Sequence, residues 1–305
     1  MPIDVALLGC AHPHVADVLA VIASEPDVRL AAVWDADPSA IPGPISAAAV
    51  TTADGAITRA HAVVICAPTD QRPALCVQAA RAGRPLLVEK PLALSAADAR
   101  AVAREVERSR TPGLAALFLR ELPALQRLRS ILLERVLGRV ASVSAAFAHC
   151  GALEGWFDGP RAWMRDPRRA GVGGFGDLAL HLVDALAVLA PDEPPVVAAA
   201  TLDRDGRGDV GGAAVGSLGG VPLTVRAGWA SRPGGLEVVV AGSAGTAVLT
   251  EGVLELGGER WIGPPPDAGE AVRAFATCLR TRRFPRDGLT RAVQAQQVLE
   301  ASLRL

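Results

Sequence analysis

Ile3-Asp4-Val5-Ala6-Leu7-Leu8-Gly9-Cys10-Ala11-His12-Pro13-His14 is an apolar run, a glycine and a short turn that leads straight into a helical stretch ending near Ser24. A dinucleotide fold places its pyrophosphate loop in this setting, where a tight turn lets backbone approach the phosphates and helix N-terminal amides bind them. Only Gly9 matches the three-glycine fingerprint; Ala11 and His14 occupy the second and third positions. Asp35, at the end of the next strand-like run, is placed to accept hydrogen bonds from an adenosine ribose, and a carboxylate there favours NAD over NADP by repelling the extra phosphate. The same aspartate suits a turn before Asp37-Pro38 equally well.

The pattern repeats outward from this unit. Strand-like runs at Val5 to Gly9, Leu30 to Asp35, Ala62 to Ala67, Pro85 to Glu89 and Leu114 to Leu119 are continuously apolar, as expected of parallel strands covered on both faces. Helical stretches fall between them at His14 to Ser24, Arg72 to Ala82 and Ser95 to Ser109, the last with Asp98 three residues after a Ser95 cap. After Glu121 the composition changes. A helix over Leu122 to Leu137 and a strand over Val140 to Ala148 precede a Gly- and Arg-rich loop, an apolar helix from Gly176 to Leu189 and several strands between Val196 and Leu256. The end, Ala268 to Leu305, reads as helical with a break at Pro285 to Gly288. The expected fold is α/β: a Rossmann, parallel doubly wound domain over residues 1-121, then an α/β domain with a large open, mostly antiparallel sheet over 122-305.

Charge and cysteine usage narrow the function classes. With 31 Lys+Arg against 32 Asp+Glu over 305 residues, the formal charge is -1, which argues against nucleic-acid binding. The five cysteines are scattered without a Cys-x-x-Cys pair, so a disulfide scaffold or zinc ribbon is not expected and a reducing compartment fits. The chain opens directly into strand-like sequence without the basic region of a signal peptide, and no uncharged apolar run reaches a bilayer span. A cytoplasmic location with no membrane partner is the expectation. Cys10, His12 and His14 lack a fourth ligand at recognisable spacing, and no metal site is assigned.

There is no tyrosine and a single lysine, Lys90; every other basic side chain is arginine. In a chain that uses arginine wherever arginine will serve, a lone lysine has a reason: a compact ammonium sits close to a substrate atom in a way the planar guanidinium does not. Lys90 follows a strand in Leu86-Leu87-Val88-Glu89-Lys90-Pro91, at the carboxyl edge where parallel sheets bind ligands. A tyrosine-dependent short-chain dehydrogenase is excluded, as is a Walker A loop, since Pro91 follows Lys90.

Asp177, His181 and Asp184, spaced four and three apart, share one face of an otherwise apolar helix. Burying such a stripe is costly unless its members are paired or used, so either structural pairing or catalysis is open at this point.

These stretches together resemble the Gfo/Idh/MocA oxidoreductases over nearly the whole chain. The resemblance rests on Val63-Val64-Ile65-Cys66-Ala67-Pro68 before a helix, on Ala82-Gly83-Arg84-Pro85-Leu86-Leu87-Val88-Glu89-Lys90-Pro91-Leu92, and on Gly173-Gly174 leading into Asp177-x-x-x-His181-x-x-Asp184. It implies NAD(P)-dependent hydride transfer at a secondary alcohol of a sugar, cyclitol or related polyol, for which Asp35 favours NAD over NADP. It further implies that Lys90 polarises the reacting oxygen, that His181 is the general acid/base, and that Asp177 orients substrate or histidine. Cofactor contacts are expected from Gly9, Ala11, His12, His14, Asp35, Pro68, Glu89 and Lys90. A homodimer or homotetramer through the C-terminal sheet is the expected assembly. The degraded glycine loop and the replacement of the family's histidine within Pro68-Thr69-Asp70-Gln71-Arg72 are departures from its pattern. A non-catalytic dinucleotide-sensing regulator and a Schiff-base lyase using Lys90 are the alternatives. Trp156, Phe157 and Trp163 are candidates for stacking on a sugar, and Arg161, Arg165, Arg168 and Arg169 for an anion.

Overall fold

The computed structural model describes residues 2–303. In chain order the strands are β1 (Ile3–Leu8), β2 (Val28–Trp34), β3 (Ala62–Ile65), β4 (Leu86–Val88), β5 (Gly113–Ala115), β6 (Val140–Ala148), β7 (Val196–Arg204), β8 (Asp209–Leu218), β9 (Val221–Gly228), β10 (Gly235–Gly242), β11 (Gly245–Thr250), β12 (Val253–Leu256) and β13 (Glu259–Ile262). The helices are α1 (Val15–Ser24), α2 (Ala53–Thr58), α3 (Arg72–Arg81), α4 (Ala96–Arg108), α5 (Pro123–Leu133), α6 (Pro167–Ala170), α7 (Gly174–Leu189), α8 (Gly269–Thr281) and α9 (Thr290–Leu303). They form two compact units. The first comprises Met1–Ala116, Phe157–Gly171 and Ala268–Gln294; the second comprises Leu117–Trp156, Val172–Asp267 and Ala295–Leu305.

The first unit carries a five-stranded sheet in the order β2-β1-β3-β4-β5, with all pairings parallel. Every residue of β3 and β4 is buried, because helices cover both faces and an apolar run without alternation suits such a strand. Ser95 caps α4 as its spacing implies, its hydroxyl accepting from Asp98 N at 3.1 Å. The six-residue α2, capped by Thr52, is too short to show a helical period. The run Leu114 to Leu119 is a strand only as far as Ala115; Phe118–Glu121 turns into a 3₁₀ segment. Its apolar residues are buried without strand pairing, a distinction that apolarity alone does not carry.

Gly9 allows the closest approach in this unit. Its φ is +91°, and a Cβ there would run into the Ala67 backbone at the end of the neighbouring strand run.

The second unit is an eight-stranded sheet in the order β13-β12-β11-β10-β6-β9-β8-β7, antiparallel except for the parallel β6–β9 pair. Its strands alternate. Leu223, Val225 and Ala227 of β9 are buried beside α7, whereas Pro222, Thr224 and Arg226 are exposed on the other face. α7 is buried nearly all round, so the apolar stretch Pro167–Leu189, long enough by composition to cross a membrane, has 83% of its most apolar window inside the fold. Gly174 lets the helix start hard against the Val210 backbone, where a Cβ would not fit.

Gly9→Ala is expected to lower stability by about 3 kcal/mol or more, since both φ and space are wrong for a methyl group. Urea unfolding followed by circular dichroism checks this; a loss below about 1 kcal/mol contradicts the close approach.

Candidate active site

In the first unit, chemistry gathers at the carboxyl edge of the parallel sheet. Asp35 is buried where β2 ends, with Oδ2 accepting from Cys10 N at 2.6 Å and Oδ1 from Asp37 N at 2.8 Å. One carboxylate therefore braces the β1–α1 loop and closes its own turn. Two loop amides are spent on side chains, because His14 N donates to His12 Nδ1 at 3.2 Å.

Glu89, immediately after β4, is 4% exposed. Its Oε1 lies 3.0 Å from His14 Nδ1 and its Oε2 3.8 Å from His12 Nε2. Burial opposes ionisation of this carboxyl, but the neighbouring His12 and His14 imidazoles, the His14 hydrogen bond and the Lys90 ammonium outweigh it and hold the group well below the usual range. Burial drives the His12 imidazole well below its ordinary value, only partly opposed by Glu89, so the ring is neutral. Lys90, itself 4% exposed, is held next to this anion, its backbone N–H 3.3 Å from Glu89 Oε2. The Lys90–Pro91 peptide is cis.

His12, His14 and Glu89 present three ligand-type atoms within 4.8 Å of one another. The His12 tautomer is wrong for a metal: Nδ1 accepts an amide hydrogen, so the neutral ring carries its proton on Nε2, the nitrogen facing Glu89. Cys10 takes no part, and burial pushes its thiol up to about 12.

A second set of contacts ties the loops of this edge together. Arg72, wholly buried at the start of α3, donates from Nε to Ala67 O at 2.8 Å and from a terminal nitrogen to Pro91 O at 2.7 Å. Its guanidinium lies 5.7 Å from the ring centroid of Trp163, whose Nε1 donates to Ala11 O at 3.2 Å. The turns around Ala11, Pro68 and Pro91 are thus joined through one cation and one indole. The loop arginines are partly committed as well: Arg168 pairs with Asp166 and Arg169 with Asp70.

In the second unit, the polar stripe of α7 is buried and partnered. Asp184 is bound by the Arg120 guanidinium through both carboxylate oxygens, and Asp177 Oδ2 accepts from Trp229 Nε1 at 2.9 Å. His181, 1% exposed, packs against Phe118 and Phe147 with ring centroids 4.4 and 6.0 Å away. Pairing thus accounts for Asp184, and His181 packs against two aromatic rings.

Gly9, Ala11, His12, His14, Asp35, Pro68, Glu89 and Lys90 all belong to the loops and strand ends of the first unit's sheet edge, and Asp177 and His181 share α7 in the second. Phe157 and Trp163 are buried at 3% and 5%, which makes them packing anchors; Trp156 alone of the three is exposed. Sequence reading missed Arg72, Trp229 and Arg120 as partners. A buried arginine at a helix start carries no periodic signal, and Trp229 and Arg120 lie 52 and 64 residues from the carboxylates they bind.

A parallel dinucleotide-type sheet with a Glu-Lys-Pro edge, joined in one chain to a large open sheet that carries a buried Asp-x-x-x-His helix, defines a class of oxidoreductase. The chain belongs to the GFO/IDH/MocA family: the oxidoreductase family model with NAD-binding Rossmann fold matches residues 3–112, and the GFO/IDH/MocA C-terminal domain matches 125–248. A levoglucosan dehydrogenase of Pseudarthrobacter phenanthrenivorans is 28% identical over 127 residues, which is 41% of this chain and 31% of that protein's length. An oxidoreductase from Agrobacterium radiobacter, solved with NAD+, L-tartaric acid and magnesium, is similar in fold at TM-score 0.83 and 18% identity, covering 100% of this chain and 96% of that one. KijD10, a 3-ketoreductase from Actinomadura kijaniata solved with NADP and TDP-benzene, gives TM-score 0.84 at 19% identity over 100% and 98% of the two chains.

The buried neutral His12 has a consequence for stability. Its folded pKa lies below its unfolded value near 6.5, so the unfolded chain takes up a proton that the folded one refuses. The contribution is fully present above that pH and is lost as pH falls toward the depressed folded value. Unfolding free energies from urea titrations between pH 7.5 and 5 are expected to fall more steeply for the native chain than for His12→Asn, by up to about 1.4 kcal/mol per pH unit. Parallel profiles would place a charged His12 in the fold.

Proposed function

We propose that the protein is an NAD-preferring dehydrogenase of a secondary alcohol on a sugar, cyclitol or related polyol. The observation that carries this reading is Lys90, the chain's sole lysine, fixed at the sheet edge beside the ionised Glu89. The edge suits a dinucleotide: α1 presents its N-terminus, Asp35 offers carboxylate lone pairs at the end of β2, and the Ala11 and His12 amides lie in the loop for a phosphate. Gly9, Ala11, His12, His14, Asp35, Pro68, Glu89 and Lys90 would hold it. When bound, the nicotinamide supplies the hydride acceptor.

In the oxidising direction the Lys90 ammonium stabilises negative charge developing on the substrate oxygen. His181 takes the hydroxyl proton, and the Phe118 and Phe147 rings packed against it restrict its orientation. Asp177, steadied by Trp229, orients substrate or histidine. The names of the sugar-related relatives support the substrate class. Bound NAD in one structural neighbour and NADP in another leave the choice to this chain's own Asp35, whose charge disfavours a 2′-phosphate.

The exposed face of the second sheet, which carries Val215 at 53% and Val196 at 57% exposure, is assigned to contact between copies of the chain as a dimer or tetramer. Five cysteines without a disulfide support a place in the reducing cytoplasm. No nucleic-acid or membrane partner is proposed.

The test is a screen of sugars, cyclitols and sugar acids with both cofactors, followed by absorbance of the reduced nicotinamide. Lys90→Arg is expected to lose at least about a hundredfold in turnover while calorimetry shows NAD binding retained, and His181→Asn about a hundredfold together with the acidic limb of the pH-rate profile. Native turnover in Lys90→Arg removes the lysine from the chemistry. Asp35→Ser, with an arginine introduced nearby, is expected to move the ratio of kcat/KM values from NAD toward NADP; equal use of both cofactors by the native chain contradicts the role of Asp35.

A further inference from the structure

β6 and β9 run parallel, so their carboxyl ends share one edge of the second sheet, and the loop after β6 is stitched to the end of β9. His149 N donates to Gly228 O at 3.0 Å, Ala152 N to Trp229 O at 2.9 Å, and Ser231 N to His149 O at 3.2 Å. Trp229 is the residue whose indole binds Asp177. The loop over residues 149–156 is therefore one residue removed, through Trp229, from the carboxylate assigned to substrate.

Trp156 stands at the end of this loop with 40% of its surface exposed. It is held by more contacts than a merely exposed side chain has. Its ring stacks on His149 at a centroid distance of 4.9 Å and an interplanar angle of 26°. Its backbone N–H donates to Gly151 O at 2.9 Å, and its Nε1 donates to Glu154 Oε2 at 3.0 Å. His149 is fixed in turn, since its Nδ1 accepts from Gly151 N at 3.0 Å. A Cβ at Gly151 would lie 2.8 Å from both rings, so only glycine lets the loop backbone rest against the pair. The other oxygen of Glu154 lies 3.0 Å from an Arg232 nitrogen. Hydrogen bonds from Cys150, Trp156 and Arg232, with the arginine's charge, hold the Glu154 carboxyl below its ordinary range despite partial desolvation, so it is an anionic acceptor at neutral pH.

An oriented indole face left in water, with a carboxylate and a guanidinium at its rim, matches one kind of small molecule. A pyranose ring offers a flat C–H face to an aromatic surface and a rim of hydroxyls that both donate and accept. We propose that Trp156 is the stacking platform for a pyranose ring of the substrate, with Glu154 accepting from its hydroxyls and Arg232 donating to them. This deepens the dehydrogenase reading by naming a cyclic sugar, rather than an open-chain polyol, as the substrate class.

The experiment uses the full chain and two readouts. Steady-state rates are compared for pyranoses and methyl pyranosides against glycerol and sorbitol, in the native protein, Trp156→Ala and Trp156→Phe. Binding of methyl pyranosides is followed separately by saturation-transfer NMR, which does not depend on turnover. Trp156→Ala is expected to raise KM for pyranoses about tenfold with little change in kcat, to leave the open-chain polyols unaffected, and to lose the NMR signal; Trp156→Phe keeps most of both. An unchanged pyranose KM with the NMR signal intact overturns the proposal, as does a change in oligomeric mass on Trp156→Ala, which would make the indole an assembly contact. Saturable pyranoside binding that needs Trp156 but brings no turnover upholds the platform and removes the dehydrogenase reading. No pyranoside binding by the native chain removes the platform.

Discussion

A carboxylate buried to 4% exposure and kept ionised is the constraint around which the first unit's functional edge is organised. Removing such a charge from water costs several kcal/mol unless it is paired and hydrogen-bonded, and Glu89 meets that cost with His14 at 3.0 Å and His12 beyond it. The pairing has a geometric product. Both histidines come from the β1–α1 loop, so the anion joins that loop to the end of β4 and fixes the strand end from which Lys90 projects. This gives the weakened glycine fingerprint a physical reason: a third glycine at position 14 has no side chain to reach Glu89. Arg72 and Trp163 perform the same service for the neighbouring turns, with a permanent cation that accepts no substitute of lower charge or different shape.

The second unit manages buried polarity by the same economy. Of the three polar residues on α7, Asp184 is neutralised by Arg120, Asp177 is tied to an indole, and His181 packs among aromatic rings. Helix and sheet thereby bury an almost wholly apolar surface. Gly173 and Gly174 permit it: Asp209 Oδ1 accepts from Phe175 N at 2.8 Å at the helix start, while the absent Cβ atoms let the turn lie against Asp209 and Val210.

Most of the architecture was legible in the amino-acid order. Uninterrupted apolar runs marked the parallel strands, Ser95 marked its helix, and the Glu-Lys-Pro and Asp-x-x-x-His stretches marked the family. What escaped had no local signature. α2 is barely more than a turn and a half, and Leu117 to Leu119 are apolar because they are covered, not because they pair. The partners of the buried charges come from distant segments, so no spacing rule announces Trp229 for Asp177 or Arg120 for Asp184. His14 was legible as a residue near a helix N-terminus, yet its ring is turned to Glu89, and that depends on a strand 75 residues away.

The central claim is that the edge built around Glu89 holds a nicotinamide dinucleotide. Calorimetric titration of the native chain with NAD at neutral pH tests it most directly, with Glu89→Gln run alongside and its fold verified by circular dichroism. The account predicts saturable binding with one site per chain, weakened at least tenfold in a folded Glu89→Gln variant; no heat of binding with either NAD or NADP, or identical affinity in the variant, would contradict it.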